Sequence, residues 1–343
     1  MRLDVERRTL RFSRPLRTAY GEVSERRLLA VSLTGEDGVT GYGEAAPLES
    51  YDGVSIERTE AALESYAAVL AVTEGLNGAQ LLDACRSADD LPVALAAIDL
   101  ALWDRGGRIS GKPIAALITD TPAASVPVNA TLGATDRAGA AQEAANAVAD
   151  GFNCVKLKVG VGDDTGRVAA VRAAVGPEVE LRLDANGAWD VEQAVRTIEA
   201  LAPAGLELVE EPVHGLHQVR EVRERVAVRV AIDETAAEHG ALGAGVADAV
   251  CLKISRCGGI GGLIAAATLV RASGAEAYLA STFDGPLGIA AGVHAAAALA
   301  SRGPVPHCGL ATLALFEDIE NPLAARDGQI SVPSGPGLGV EPL

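Results

Sequence analysis

At 343 residues and 49% hydrophobic content, the chain is long enough for one barrel-sized domain and a smaller companion. Its formal net charge of −17 excludes nucleic acid and anionic membrane as expected partners, so a small anionic substrate would need local positive charge from lysines or a metal. The first residues, MRLDVERRTLRFSRP, show no apolar leader, and no run reaches the roughly 18 apolar residues of a membrane span, so the expected setting is cytoplasmic, as monomer or homo-oligomer.

In chain order, residues 1–125 read as an α+β unit. Strands are expected over 2–12, 26–35 and 38–46, the last two joined by the turn signal EDG, and helices over 56–72 and 93–106. Residues 14–22 and 46–53 read as loops. From residue 126 to 317 the pattern changes to short apolar runs followed by Ala-rich amphipathic stretches. The runs VPVNATL, FNCVKLKVG, VELRLDANG, LELVEEP, VRVAIDE, AVCLKIS, EAYLAST and HCGLA give eight strands alternating with helical segments, which implies a parallel barrel. Residues 318–343 are expected to complete the first unit. Cys85, Cys154, Cys251, Cys257 and Cys308 contain no CxxC pair and read as small buried hydrophobes.

Arg supplies 25 of the 29 basic residues, leaving Lys112, Lys156, Lys158 and Lys253. Unlike Arg, a desolvated Lys can lose its proton near neutral pH, so lysines inside apolar strands point to chemistry. The last inward polar residue of successive strands forms a ladder, Lys158, Asp184, Glu210, Asp233 and Lys253, in steps of 26, 26, 23 and 20 residues. Such residues meet at the C-terminal face of a barrel. Three carboxylates converging there repel one another unless a cation neutralises them. With no His or Cys at these positions, the expected ion is Mg²⁺, with Mn²⁺ as a substitute, rather than Zn²⁺. Period-two alternation puts Lys156 and Lys158 on one face, where each ammonium is expected to lower the other's pKa. Lys158, nearer the strand end, would exchange the proton, and Lys156 would tune it and hold substrate charge.

Singly, a strand-end acid reads as a helix cap and a lysine pair as a snorkelling feature; five such residues in one register outweigh that reading. RCGGIGG, which could cradle phosphate, reads more simply as a tight βα turn, and the five histidines show no shared metal spacing.

These motifs resemble the enolase superfamily, in its muconate-lactonizing-enzyme-like subgroup, over nearly the whole chain. VKLKVG is similar to the family's KxK motif; LDANG, VEEP and IDE to its three metal-ligand motifs; LKISRCGG to its opposite lysine motif. AAIDLALWDRGGRISGKPI resembles the helix and linker between capping domain and barrel. The resemblance implies an α/β fold, a (β/α)7β TIM-like barrel with an N-terminal α+β capping domain. It also implies chemistry already known for that superfamily, in which a Lys base works with Mg²⁺ on an enediolate formed by removing a proton α to a carboxylate. Lys158 takes the acid/base role, Lys156 its tuning partner, Lys253 the opposite lysine, and Asp184, Glu210 and Asp233 the metal.

Near the C-terminus, STFDGPLGIAAGVHAAAAL and HCGLATLALFEDI resemble o-succinylbenzoate synthases, lyases that dehydrate a cyclohexadiene carboxylate to 2-succinylbenzoate in menaquinone synthesis. KISRCGGI also resembles dipeptide epimerases, so dipeptide epimerase or N-acylamino acid racemase, muconate-type cycloisomerase and a non-catalytic binding protein stand as alternatives. The expected substrate wall is Asn186, Ser281, Thr282, Asp284, Gly285, Gly288 and Gly309. Dipeptide epimerases anchor a free ammonium with Asp-x-Asp near strand 8; HCGLAT has no acid there, and Asp284 is the one nearby substitute.

Overall fold

The structure, a computed structural model, describes all residues except 19–20, 74, 134–135 and 318, and leaves aside the side chains of residues 16–18 and 22. The chain opens with an antiparallel sheet in the order β1-β2-β3, made of β1 (Arg2–Thr18), β2 (Gly21–Thr34) and β3 (Thr40–Ala45). Alternation in β2 sends Leu29, Val31 and Leu33 into one face, where they are almost fully buried among residues of the helices that follow. Those are α1 (Glu49–Asp52), α2 (Ile56–Val72), α3 (Gly78–Ala88), α4 (Pro92–Ser110) and α5 (Ile114–Ile118). Ser55 caps α2 by accepting from the Arg58 amide, and Asn77 and Gln80 form a reciprocal capping box on α3. On β3, a Cβ at Gly41 or Gly43 would lie 2.1 or 2.0 Å from the Ala101 or Ala97 carbonyl oxygen. Glycine there lets the sheet lie directly on α4.

Next come β4 (Ser125–Pro127), β5 (Ala130–Leu132), α6 (Arg137–Ala149), β6 (Cys154–Lys158), α7 (Asp164–Val175), β7 (Glu180–Asp184), α8 (Val191–Leu201), β8 (Leu206–Glu210), α9 (Leu216–Arg225), β9 (Arg229–Ile232), β10 (Ala249–Leu252), α10 (Ile260–Ala272), β11 (Glu276–Leu279) and α11 (Pro286–Ala300). Strands β5 to β11 form one parallel sheet in chain order. Single bridges, Val128 to Cys308 and Ala280 to Gly309, bring the eighth segment between the two edges and close the circle. The helices cover the outside, so the outward faces of the strands are apolar, as a wrapped parallel sheet requires, while the inward faces also carry the charged residues of the site. Leu208, Ala231, Ala249, Cys251 and Tyr278 fill the barrel interior. A last strand, β12 (Gln329–Ser331), pairs antiparallel with β4. The fold is therefore a (β/α)7β barrel with an N-terminal capping domain. No helix among the described residues is long and apolar enough to cross a membrane.

Four expectations need correction. The segment 14–22 is mostly strand, because β1 continues to Thr18 past an irregularity between Arg11 and Leu16 and pairs with residues from Gly21 onward; residues 19–20 lie outside the described residues. The segment 46–53 holds the helical turn α1. Helix α3 was not anticipated, since its polar residues hide a narrow apolar stripe of Leu81 and Cys85. The fifth barrel unit has two 3-10 turns, Glu234–Ala237 and Ala241–Gly243, in place of an α-helix, because the 19 residues between Asp233 and Lys253 leave too little chain for a helix and two loops. An open flank cleft of about 990 Å³ lies there, lined by Leu242, Leu252, Ala266 and Leu269 among others.

Candidate active site

The strand register assembles the ladder. Lys158 pairs with Asp184 and Asp184 with Glu210. Glu210 pairs with Ala231, which places Asp233 two residues further along its strand. Asp184, Glu210, Asp233 and Lys253 are all buried. The Lys156 ammonium bridges Asp184 Oδ2 at 2.8 Å and Glu210 Oε1 at 2.7 Å. Lys158 Nζ donates to Asp184 Oδ2 at 2.7 Å and to Asn186 Oδ1 at 2.6 Å. Across the mouth, Lys253 Nζ donates to both oxygens of Asp233, at 2.5 Å for Oδ2.

At Lys156 the electrostatics differ from the expectation that its paired lysine depresses it. Burial works against the Lys156 charge, but Asp184 and Glu210 outweigh it and hold that ammonium well above its ordinary pKa. Asp233 does the same for Lys253. Glu210 is pushed upward by burial and by the charges of Asp184 and Asp233, against the pull of Lys156 and Lys253. Lys156 and Lys253 are thus held charged by the acids that would hold a cation.

Several neighbours carried little sequence signal. Tyr51, on α1 of the cap, donates to Asp233 Oδ1 at 2.8 Å and lies with Lys253 Nζ 4.9 Å and the Arg256 guanidinium 4.2 Å from its ring centre. Arg256 also donates to the Asp233 carbonyl at 2.8 Å. Tyr278 donates to Glu210 Oε2 at 2.6 Å; its signal was a polar aromatic at an inward position of EAYLAST. Glu211, beside Glu210, accepts from the Asp233 amide at 2.7 Å and from Thr235 Oγ1 at 2.5 Å, bracing the loop that carries Asp233. Three non-glycine residues at these strand ends have positive φ, Asn186 at 44°, Glu211 at 41° and Phe283 at 59°, strain of the kind that surrounding structure holds at functional sites.

A pocket of about 80 Å³ opens beside these groups, walled by Val23, Leu48 and Tyr51 from the cap and by Thr131, Ala280, Phe283 and Thr312 from the barrel. Of the expected substrate residues, Asn186, Ser281, Thr282 and Gly309 line it. Asp284, Gly285 and Gly288 do not, and are corrected here. Asp284 is buried behind the wall and accepts from Thr282 Oγ1 at 2.7 Å. Gly285 and Gly288 are glycine for another reason. The Gly285 amide donates to Glu44 Oε1 at 2.6 Å, and a Cβ at Gly285 or Gly288 would lie 2.3 or 3.0 Å from a Glu44 oxygen. The turn RCGGIGG holds no outside anion either, because Asp99 of α4 accepts from the Ile260 amide at 2.5 Å at the start of α10.

The donor set fits a hard divalent cation. Asp184, Glu210 and Asp233, all buried, end successive strands at one barrel mouth; oxygens of Glu210 and Asp233 lie within 4.8 Å of each other, and the Lys156 ammonium links Asp184 to Glu210. Oxygen-rich, charge-dense sets of this kind suit Mg²⁺.

A closed barrel with acids on three successive strand ends, lysines on either side and a cap reaching into its mouth is the architecture of the enolase superfamily, a class of enzymes. Residues 139–343 match the family described as Enolase C-terminal domain-like, and residues 3–119 match Mandelate racemase / muconate lactonizing enzyme, N-terminal domain. The chain belongs to this mandelate racemase/muconate lactonizing enzyme family. It is 32% identical to muconate cycloisomerase 1 of Rhodococcus opacus over 344 residues, covering 96% of this chain and 92% of that protein. It is 40% identical to o-succinylbenzoate synthase of Thermobifida fusca over 222 residues, 61% of this chain and 67% of that one. A dipeptide epimerase from Enterococcus faecalis V583, solved with Mg and the dipeptide L-Leu-L-Tyr, superposes with a TM-score of 0.89 at 28% identity, covering 98% of each chain.

Proposed function

We propose that this protein is a Mg²⁺-dependent enzyme that removes a proton α to a carboxylate, and that its reaction is the dehydration that forms 2-succinylbenzoate, the o-succinylbenzoate synthase reaction. Asp184, Glu210 and Asp233 would hold the ion, which when bound supplies positive charge for the substrate carboxylate and engages the acids that otherwise hold the lysines. Lys158, at the strand end beside Asn186, takes the α-proton as a neutral amine. The proton then passes from Lys158 to the leaving hydroxide, which departs as water, so one lysine serves both steps. Lys253, on the other side of the mouth, offsets the negative charge that develops on the enediolate. Lys156 holds the orientation of Asp184 and Glu210.

The observation that carries the choice of substrate is the pocket wall. Among the described residues, no acid but Asp184 and Asp233 lines it, and Asp284 is committed to Thr282. A dipeptide's free ammonium would be buried there without a partner, at a cost of several kcal/mol. The small and weakly polar residues Ala280, Ser281, Thr282, Gly309 and Thr312 suit a ring instead. At about 80 Å³ the pocket is below the roughly 300 Å³ of an ordinary ligand site, so substrate entry requires the α1 segment to shift.

The full-length likeness to a muconate cycloisomerase makes that reaction the second reading. Side-by-side assays with the cyclohexadiene precursor, L-Ala-L-Glu and cis,cis-muconate decide among them. We expect kcat/KM for dehydration to exceed the others by at least tenfold. A larger value for the dipeptide or for muconate replaces the substrate assignment.

A further inference from the structure

The floor of the barrel, at the end opposite the candidate active site, holds three side chains of different ligand chemistry. Cys154 begins β6, Glu180 begins β7 in register with it, and His307 precedes the eighth-strand segment. One ligand atom from each, a thiol sulfur, a carboxylate oxygen and an imidazole nitrogen, all lie within 4.8 Å of one another. His307 Nδ1 is 2.9 Å from a Glu180 oxygen, and its Nε2 is 2.8 Å from Asn153 Oδ1. The amide oxygen accepts, so Nε2 carries a proton and Nδ1 faces a carboxylate. That face is satisfied either by a second ring proton or by a cation shared with the acid. An outer hydrogen bond from the far ring nitrogen is what orients a metal-binding histidine.

The surroundings are built around this cluster. Arg182, almost fully buried, donates to the His307 carbonyl at 2.6 Å and to Glu207 at 2.5 Å. It fixes the backbone that carries the imidazole, and Glu207 offsets its charge; burial pushes the Cys154 thiol up to about 12, with Arg182 working in the other direction. Cys154 is buried, whereas the Glu180 side chain is 44% exposed, so the cluster has one open side.

We propose that Cys154, Glu180 and His307 form a zinc site on the N-terminal face of the barrel, with solvent in the fourth position. Sulfur and imidazole donors select zinc over the hard ion suited to the mouth, and three protein ligands with one open position are a familiar zinc arrangement. On binding, the Cys154 S–H proton passes to solvent as the Zn–S bond forms, and thiolate and carboxylate together balance the ion's charge. The site would pin the first residues of β6 and β7 to the eighth segment, which pairs with its neighbouring strands through single bridges.

Cobalt chloride, titrated into the chelator-treated full chain under excess Mg²⁺, is the probe. We expect one Co²⁺ per chain, with a thiolate-to-cobalt charge-transfer band and strong visible d–d bands, displaced by Zn²⁺. Cys154→Ser should abolish the charge-transfer band. His307→Gln, at the rim and least disturbing to folding, should weaken Co²⁺ binding at least tenfold and remove the rise in melting temperature that Zn²⁺ gives the parent. No such band in the parent, or binding unchanged in His307→Gln, overturns the site, as does a band that survives Cys154→Ser and disappears in Cys251→Ser.

Discussion

Glu210 has one oxygen on the Lys156 ammonium and the other on the Tyr278 hydroxyl, and the Tyr278 ring lies 5.1 Å from the Arg182 guanidinium. Tyr278 therefore fixes which way a buried acid points, and partners of this kind commonly change metal affinity by about 10–100-fold. Tyr278→Phe removes the one hydrogen bond and keeps the ring. We expect roughly tenfold weaker Mg²⁺ binding by calorimetry with little change in melting temperature; an unchanged affinity would remove the orienting role. Lys158→Ala should lower turnover by about 10²–10⁴-fold, the usual contribution of a general acid–base group, and should also stop α-proton exchange. Nuclear magnetic resonance in D₂O reads the exchange directly, and exchange at the parent rate would assign the base elsewhere. The five ladder residues were legible because each sits at the same place on its own strand within a short local motif. Tyr51 was not, since its partner Asp233 is 182 positions away and its own segment reads as a polar turn. Gly285 and Gly288 were misread because a missing side chain looks the same whether it makes room for substrate or for Glu44.

Among the elements, the barrel helices α10 and α11 share one device. Each begins with a glycine-rich turn whose amides point at an acid from the cap, Asp99 for α10 and Glu44 for α11. A carboxylate at a helix N-terminus satisfies otherwise unpaired N–H groups and complements the helix dipole. Burial and the repulsion of Asp284 nevertheless push Glu44 up to about 8, against the Gly285 and Gly288 amides and the charge of Arg26, and burial pushes Asp99 up to about 6. Because the folded pKa of Glu44 is raised, the folded state holds a proton that the unfolded chain releases above about 4.5. Stability is then greatest below that value and falls as pH rises through about 8, by on the order of a few kcal/mol. Urea midpoints measured between pH 5 and 9 should drop in the parent and flatten in Glu44→Gln; the same slope in both would assign the proton to another group. The barrel strands were readable as elements because apolar runs recur with the β/α period. The eighth segment was placed at HCGLA, but its pairing by single bridges and the absence of a helix in the fifth unit were not legible, since they follow from how the circle closes and how little chain remains.

At the scale of the molecule, the cap supplies one wall of the pocket through Val23, Leu48 and Tyr51, while the barrel supplies the lysines and acids. The presence of a barrel and a companion was legible from length and repeat. Their joint was not, because it is made by buried acids that a sequence shows only as isolated charges. Glu44 and Asp99 act as ligands that one domain permanently lends to the other, and this limits how far relatives can exchange parts. A chimaera joining this barrel to a cap without acids at those two places would expose two empty anion cradles, at Gly285 and at the turn RCGGIGG. Such a hybrid would take up phosphate or sulfate from its buffer, and it would depend on that borrowed ion to stay assembled.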